Sequence, residues 1–398
     1  MDLAGPDWAA GPRWREFAAQ ASLVATMRHP TYDPRPSLSG GGGVSVTIEV
    51  SDSAALATAI AGAHDGDTIL LSPGEYVLDK VQGLTFAQGV TITSADPMHR
   101  AILDGLYLQD DSGLTFRNLE VKIDPVQRVG AIVLGGDHIT LDGLSIHGAV
   151  VGDGLGVRLL ETREVMLSNL DIHDVQGGVV LARSDDVTVL NSSIHDLEID
   201  AIQSAGSSHV TISGNSFTNF YPQAGDHSDA IQFVGTPASA HDIVITNNTY
   251  VRGLGPGNTQ GIFMGDEGGA AYRDVTISGN MIVGAVFHGI SVYGVDHLNV
   301  SHNTVEGYAD VTSWILVNDS TNSSVTDNSA TALNPGVGNV GLATTGNTVI
   351  PQAAIGDASI LGVTAPPPSL PPLGPPSLPD MTPETPMVVT FFTSSDLF

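Results

Sequence analysis

Three observations predict an all-β solenoid of parallel strands. A phrase of apolar-x-apolar closed by asparagine returns along the chain: Val187-Thr-Val-Leu-Asn-Ser, Val210-Thr-Ile-Ser-Gly-Asn, Ile243-Val-Ile-Thr-Asn-Asn, Val275-Thr-Ile-Ser-Gly-Asn and Leu298-Asn-Val-Ser-His-Asn. Related phrases start at 90, 114, 139, 165 and 323, so the successive spacings are 24, 25, 26, 22, 23, 33, 32, 23 and 25 residues. Such spacings are too long for a hairpin meander and mostly too short for strand-helix-strand units, which leaves one solenoid coil per repeat. A second short strand precedes the phrase in each coil, opening on a small residue: Gly156-Val-Arg-Leu, Gly178-Val-Val-Leu, Ala201-Ile-Gln-Ser, Ala230-Ile-Gln-Phe, Gly261-Ile-Phe-Met and Gly289-Ile-Ser-Val. Period-two alternation turns the Val or Ile inward and the next side chain outward.

In chain order, residues 1–45 read as a helical segment and linker, with Trp14, Phe17 and Leu23 on one helix face and Pro30, Pro34, Pro36 and Gly40 to Gly43 following. The strand Val46-Thr-Ile-Glu-Val leads into an Ala/Leu-rich helix ending near Ala63, with Ser51 or Ser53 as N-cap. A solenoid end needs such a cap. Coils then run to about residue 350. Asparagines 169, 191, 215, 248, 280, 303 and 328 are expected to stack in a ladder that satisfies buried corner backbone. Residues 351–386 hold Pro-rich runs that read as a linker, and 387–398 form an apolar tail.

These repeats resemble the right-handed parallel β-helix of the pectin-lyase-like superfamily over roughly residues 46 to 350. The resemblance implies about ten or more coils with the helix plugging the N-terminal end.

Forty-three acidic against 14 basic residues give a net charge of −29. That surface repels nucleic acid and anionic membranes and favours divalent cations. Cysteine is absent, so disulfides and thiolate metal sites are excluded. No apolar run of about 18 residues predicts a membrane span, and the N-terminus lacks the pattern of a cleaved signal peptide. An acidic, cysteine-free, Gly/Asp-rich solenoid resembles bacterial proteins exported by a C-terminal signal, although their Gly-Gly-x-Gly-x-Asp calcium repeats are missing. The expected location is extracellular.

The two longest coils concentrate ionisable groups and glycine, and coil insertions on a solenoid form loops on one side that serves binding. The first carries Tyr221, Asp226, His227 and Asp229; the second carries Arg252, Gln260, Asp266 and Glu267. Strand alignment puts Asp200, Asp229, Gln260 and His288 in one column, and Arg158, Gln203, Gln232, Phe263 and Ser291 in the next outward column. Carboxylates about 4.8 Å apart on neighbouring coils repel, which raises one pKa and makes a general acid or base. An arginine, amides and a ring suit sugar hydroxyls and faces. A second column, His147, His173 and His195, reads as an ordinary solenoid stack or as a zinc or copper site.

Tyr221 with Asp226-His227 looks like the Tyr, Asp-Pro-His loop of mannuronan C5-epimerases, without the proline and with a longer gap. His288-Gly-Ile-Ser looks like the Gly-His-Gly-Ile-Ser segment of polygalacturonase-type hydrolases, with Phe287 in place of the first glycine and without their Asp-Asp pair or Arg-Ile-Lys. The resulting expectation is a polysaccharide lyase or C5-epimerase acting on a uronic-acid polymer. His227 is the base, Tyr221 the acid, and Arg252 or Ca²⁺ the neutraliser of the sugar carboxylate. Asp226, Asp229, Asp266 and Glu267 are the candidate calcium ligands. The alternatives are a glycoside hydrolase using Asp200, Asp229 and Asp226, and a non-enzymatic surface, adhesin or phage-fibre module.

Overall fold

The computed structural model describes residues 45–223, 226, 228–235, 239–255, 259–265 and 272–353. The segments expected at 1–44 and 354–398 lie outside the described residues. Among the described residues the strands form three parallel sheets of 13, 11 and 12 strands, and each coil contributes one strand to each sheet in turn. The asparagine phrases form the 13-stranded sheet, where Val165, Val187, Val210, Ile243, Val275 and Leu298 pair in register. The strands opening on small residues form the eleven-stranded sheet. There Val179, Ile202, Ile231, Ile262 and Ile290 align facing the core. The third sheet was not expected. Its strands are short, such as Ser145–His147, Met281–Val283 and Thr304–Glu306.

The small residues are required where the chain bends into the eleven-stranded sheet. A Cβ on Gly261 would sit 2.2 Å from the carbonyl oxygen of Gly289 and 2.9 Å from Ile282 Cγ2. Alternation from all three sheets fills one continuous aliphatic core that includes Leu103, Ile146, Val189 and Ile277.

The capping helix spans Ser53–Ala61, and its N-cap is Asp52, one residue away from either expected serine. Asp52 Oδ1 accepts the Ala55 amide at 2.8 Å. Leu56, Ala59 and Ile60 join the core of the first coil, so its apolar end is covered. Asp52→Ala is expected to cost about 1 kcal/mol, read as a lower urea midpoint with unchanged m-value.

The ladder is shorter at its start than expected and longer at its end. Asn215, Asn248, Asn280, Asn303, Asn328 and Asn347 form it, each amide donating to the next Oδ1 at 2.9–3.0 Å. Asn169 and Asn191 are not members. Each follows its phrase by one residue fewer and occupies the left-handed corner at φ 53° and 49°, exposed, while Ser192 takes the inward place and donates its amide to Asn215. None of the helices among the described residues is long and apolar enough to cross a membrane.

Candidate functional site

The two long coils differ from their neighbours in where they leave the eleven-stranded sheet. In the preceding coil, four residues separate Leu197 from Ile202 and two separate Ala205 from Ser208. In the long coils the chain runs from Phe220 to Ser228 and from Val251 to Thr259 before the sheet, then from Val234 to Ala240 and from Met264 to Tyr272 after it. The added length therefore falls at both edges of one sheet. The outward face between these edges is the candidate groove floor.

Register brings the two predicted columns onto that face. Asp229 pairs with Gln260, and the pairing of Ile202 with Ile231 and of Ile262 with Ile290 extends the column to Asp200 and His288. Arg158, Val180, Gln203, Gln232, Phe263 and Ser291 make the outward column. Asp200 is buried, and its Oδ1 accepts the Asp229 amide at 2.9 Å. Gln203 Nε2 donates both to Asp200 Oδ2 and to Gln232 Oε1, each at 2.9 Å. Burial pushes the Asp200 carboxyl up to about 7, against these two hydrogen bonds and with help from the charge of Asp226. Burial contributes most to this rise, and the charge of Asp226 adds to it.

Asp229 is fully buried, and Gln260 is buried with its Oε1 lacking a hydrogen-bond partner among the described residues. His288 lies beyond them, 9 % exposed, its Nδ1 2.7 Å from Ser291 Oγ. Phe263 meets its ring edge-on at 5.4 Å, and Trp314 does so at 5.5 Å. Phe287 stacks on Trp314 at 5.1 Å, and Tyr293 closes the cluster against Phe263 at 5.7 Å. Phe287 holds φ +57°, an unfavourable conformation for a bulky residue, beside a register shift between His288 and Ile290. Sequence reasoning missed Phe287, Tyr293 and Trp314. The available signal was aromatic residues gathered within two successive coils of a chain that is only 6 % aromatic.

Two expected members do not join this face. The Tyr221 hydroxyl is hydrogen-bonded to Asp196; burial first, then the charges of Asp196 and Asp174, raise its pKa. Arg252 forms a bidentate pair with Asp310 at 3.0 and 3.2 Å and lies over the Tyr308 ring at 4.7 Å. Arg158 does lie on the floor, exposed, but two coils before Gln203. His227, Asp266 and Glu267 lie outside the described residues. Of the four calcium candidates, only Asp226 and Asp229 are therefore placed.

The histidine column lies on the 12-stranded sheet, next to Tyr221. The rings of His147, His173 and His195 stack 5.2 and 5.3 Å apart, within 9° of parallel. Lone pairs in parallel stacked planes do not converge, which argues against one ion held by all three. Carboxylates take their nitrogens instead. His195 contacts Asp171 at 3.1 Å and Asp196 at 2.6 Å, and His173 contacts Asp174 at 2.8 Å. Burial opposes the charged form of His195, yet Asp171 and Asp196 together outweigh it and lift its pKa to about 9.

Comparison with known proteins agrees with this architecture. Residues 82–249 match the family model described as a right handed beta helix region. The tailspike protein gp208 of Dettilon superposes with a TM-score of 0.50 at 16 % identity, covering 74 % of this chain and 64 % of that one. An alginate lyase from Paenibacillus sp. str. FPU-7 gives 0.44 at 18 % identity, covering 75 % and 99 %. The A-module of a mannuronan C-5 epimerase from Azotobacter vinelandii gives 0.43 at 12 %, covering 79 % and 97 %. No curated protein matches the sequence. The chain is a right-handed parallel β-helix over the residues that the family model matches. At these identities the likeness concerns the fold alone.

Proposed function

We propose that this protein cleaves a polysaccharide in the groove of the eleven-stranded sheet by carboxylate acid–base chemistry, with Asp200 as the proton donor. The observation that carries this reading is a buried carboxyl held by the Asp229 amide and the Gln203 side chain, which burial, with help from the charge of Asp226, pushes up to about 7. A donor with a pKa near the working pH serves general acid catalysis best. Asp226 is the matching base or nucleophile, and Asp229 holds Asp200 in place through its backbone amide. The Gln203–Gln232 pair offers hydrogen bonds to hydroxyls, and the rings of Phe263, Phe287 and Trp314 offer faces to a sugar.

A hydrolase of this kind fits better than the lyase or C5-epimerase expected from the sequence. Abstraction of a uronate C5 proton needs an acid at Tyr221 and a neutralising cation at Arg252, and both are engaged elsewhere, on Asp196 and Asp310. Incubation with neutral and acidic glycans decides between them. New reducing ends without ultraviolet absorbance are expected. An unsaturated product, or a sugar inverted at C5 without cleavage, would return the reaction to Tyr221 and His227; no change with any glycan would leave the solenoid as a scaffold. Ca²⁺ belongs to the same proposal as a ligand of the long-coil loops, since Asp226 and Asp229 stand on one short stretch of an acidic chain. Millimolar Ca²⁺ is expected to raise the melting temperature of metal-free protein. A superimposable melting curve removes the ion.

A further inference from the structure

The corner between the eleven- and 13-stranded sheets carries a line of acids and histidines, coil after coil, in the left-handed conformation: His138, Glu164, Asp186, His209, Asp242, Asp274 and His297. Two imidazoles meet at one carboxylate at a single point of it among the described residues. There His241 Nδ1 is 2.7 Å and His209 Nε2 is 3.4 Å from the same atom, Asp242 Oδ2. Each of the three residues offers a ligand atom within 4.8 Å of the other two. Donors around a tetrahedral ion bound at 2.0–2.1 Å are about 3.4 Å apart, so the 3.4 Å separation already fits, the 2.7 Å one must open by about 0.7 Å, and the two histidines lie within 4.8 Å of each other. Unlike the stacked histidine column, the two rings stand edge to face at 89°, which lets their in-plane lone pairs converge.

A fourth residue strengthens the case. Asp185 Oδ1 lies 2.7 Å from His209 Nδ1, the nitrogen facing away from Asp242. Metal-bound histidines commonly donate their other N–H to a carboxylate, which fixes the tautomer and orients the ring. His241 is also held from behind, its backbone amide donating to Ser208 Oγ at 3.2 Å.

We propose that His209, His241 and Asp242 form a binding site for a borderline transition-metal ion such as Zn²⁺, with Asp185 orienting His209. Imidazole nitrogens with one carboxylate suit zinc and not calcium. The ion would join two successive coils at the starts of the strands Ser208–Ser213 and Ala240–Thr246. Its role is therefore to clamp these coils together, and the site stands whether or not the protein cleaves glycans.

Untagged, metal-stripped protein titrated with Zn²⁺ by calorimetry is expected to bind one ion at this site, and saturation is expected to raise the melting temperature by roughly 3–6 °C. His209→Ala and His241→Ala are expected to remove that binding event and that shift. Asp185→Asn is expected to weaken the binding about 10–100-fold. All three side chains lie at the surface, and an unchanged far-ultraviolet spectrum verifies that the variants fold. His138→Ala and His297→Ala, on the same corner line, are expected to bind as the parent does. The site is overturned if the parent binds no Zn²⁺, if binding survives both histidine substitutions, or if the two control variants lose it equally.

Discussion

Replacing Asp200 by asparagine is expected to abolish glycan cleavage and, above pH 7, to make the folded protein more stable. The carboxyl titrates near 7 when folded and near 3.9 when unfolded. Below about pH 4 both states hold the proton and the group costs nothing. Between 4 and 7 the unfolded chain releases the proton while the folded one keeps it, so stability falls as pH rises. Above 7 the deficit is complete, with an upper bound of about 4 kcal/mol for a shift of this size. Asparagine carries no such penalty and still presents an oxygen to the Asp229 amide. Its nitrogen must replace the oxygen that accepts from Gln203, which Gln203 and Gln232 accommodate by turning their amides together. A net gain of roughly 1–3 kcal/mol at pH 8, vanishing near pH 4, is therefore expected by urea titration. On the proposed chemistry, loss of a general acid lowers kcat about 10²–10⁴-fold, and the parent protein is expected to lose activity as pH rises through 7. A stability difference between parent and variant that is the same at pH 4.5 and pH 8 would show that Asp200 does not hold the proton, and the proposed chemistry would fall with it.

The coils were legible because the aliphatic period, the small residue at each bend and the recurring asparagine all report the same backbone. The third sheet was not, because strands such as Met281–Val283 are too short to show a period. Column arithmetic placed Asp200, Asp229, Gln260 and His288 correctly, since strand register follows from counting. Side chains in turns escaped that arithmetic. Tyr221 sits one residue beyond the strand Ser216–Phe220, where alternation no longer sets a side chain's direction, and only the packed structure turns its hydroxyl to Asp196. Arg252 likewise follows Val251 and finds Asp310 from a turn two coils later in the chain. Electrostatics was legible in sign but not in cause: a raised carboxyl was expected from repulsion, whereas enclosure of Asp200 contributes most.

Asn280→Ala is expected to cost about 3–5 kcal/mol, among the largest effects of any single substitution in the chain. Asn280 Oδ1 accepts the backbone amide and the side-chain amide of Asn248, both at 3.0 Å. Its Nδ2 donates to the Ile245 carbonyl at 2.9 Å and to Asn303 Oδ1 at 3.0 Å. All these groups are buried at a corner that water does not reach, so alanine strands two donors and a carbonyl at about 1–3 kcal/mol each, offset in part by local relaxation. Asn191→Ala supplies the contrast. That side chain is exposed and outside the ladder, and its replacement costs only the strain of alanine at φ 49°, about 1 kcal/mol. Because each coil rests on its neighbours, the damage at Asn280 should also be local: hydrogen exchange at the Asn248 amide should accelerate well before exchange in the coils near the capping helix. Equal costs for Asn280→Ala and Asn191→Ala would mean that the ladder is ornament on a core that holds without it.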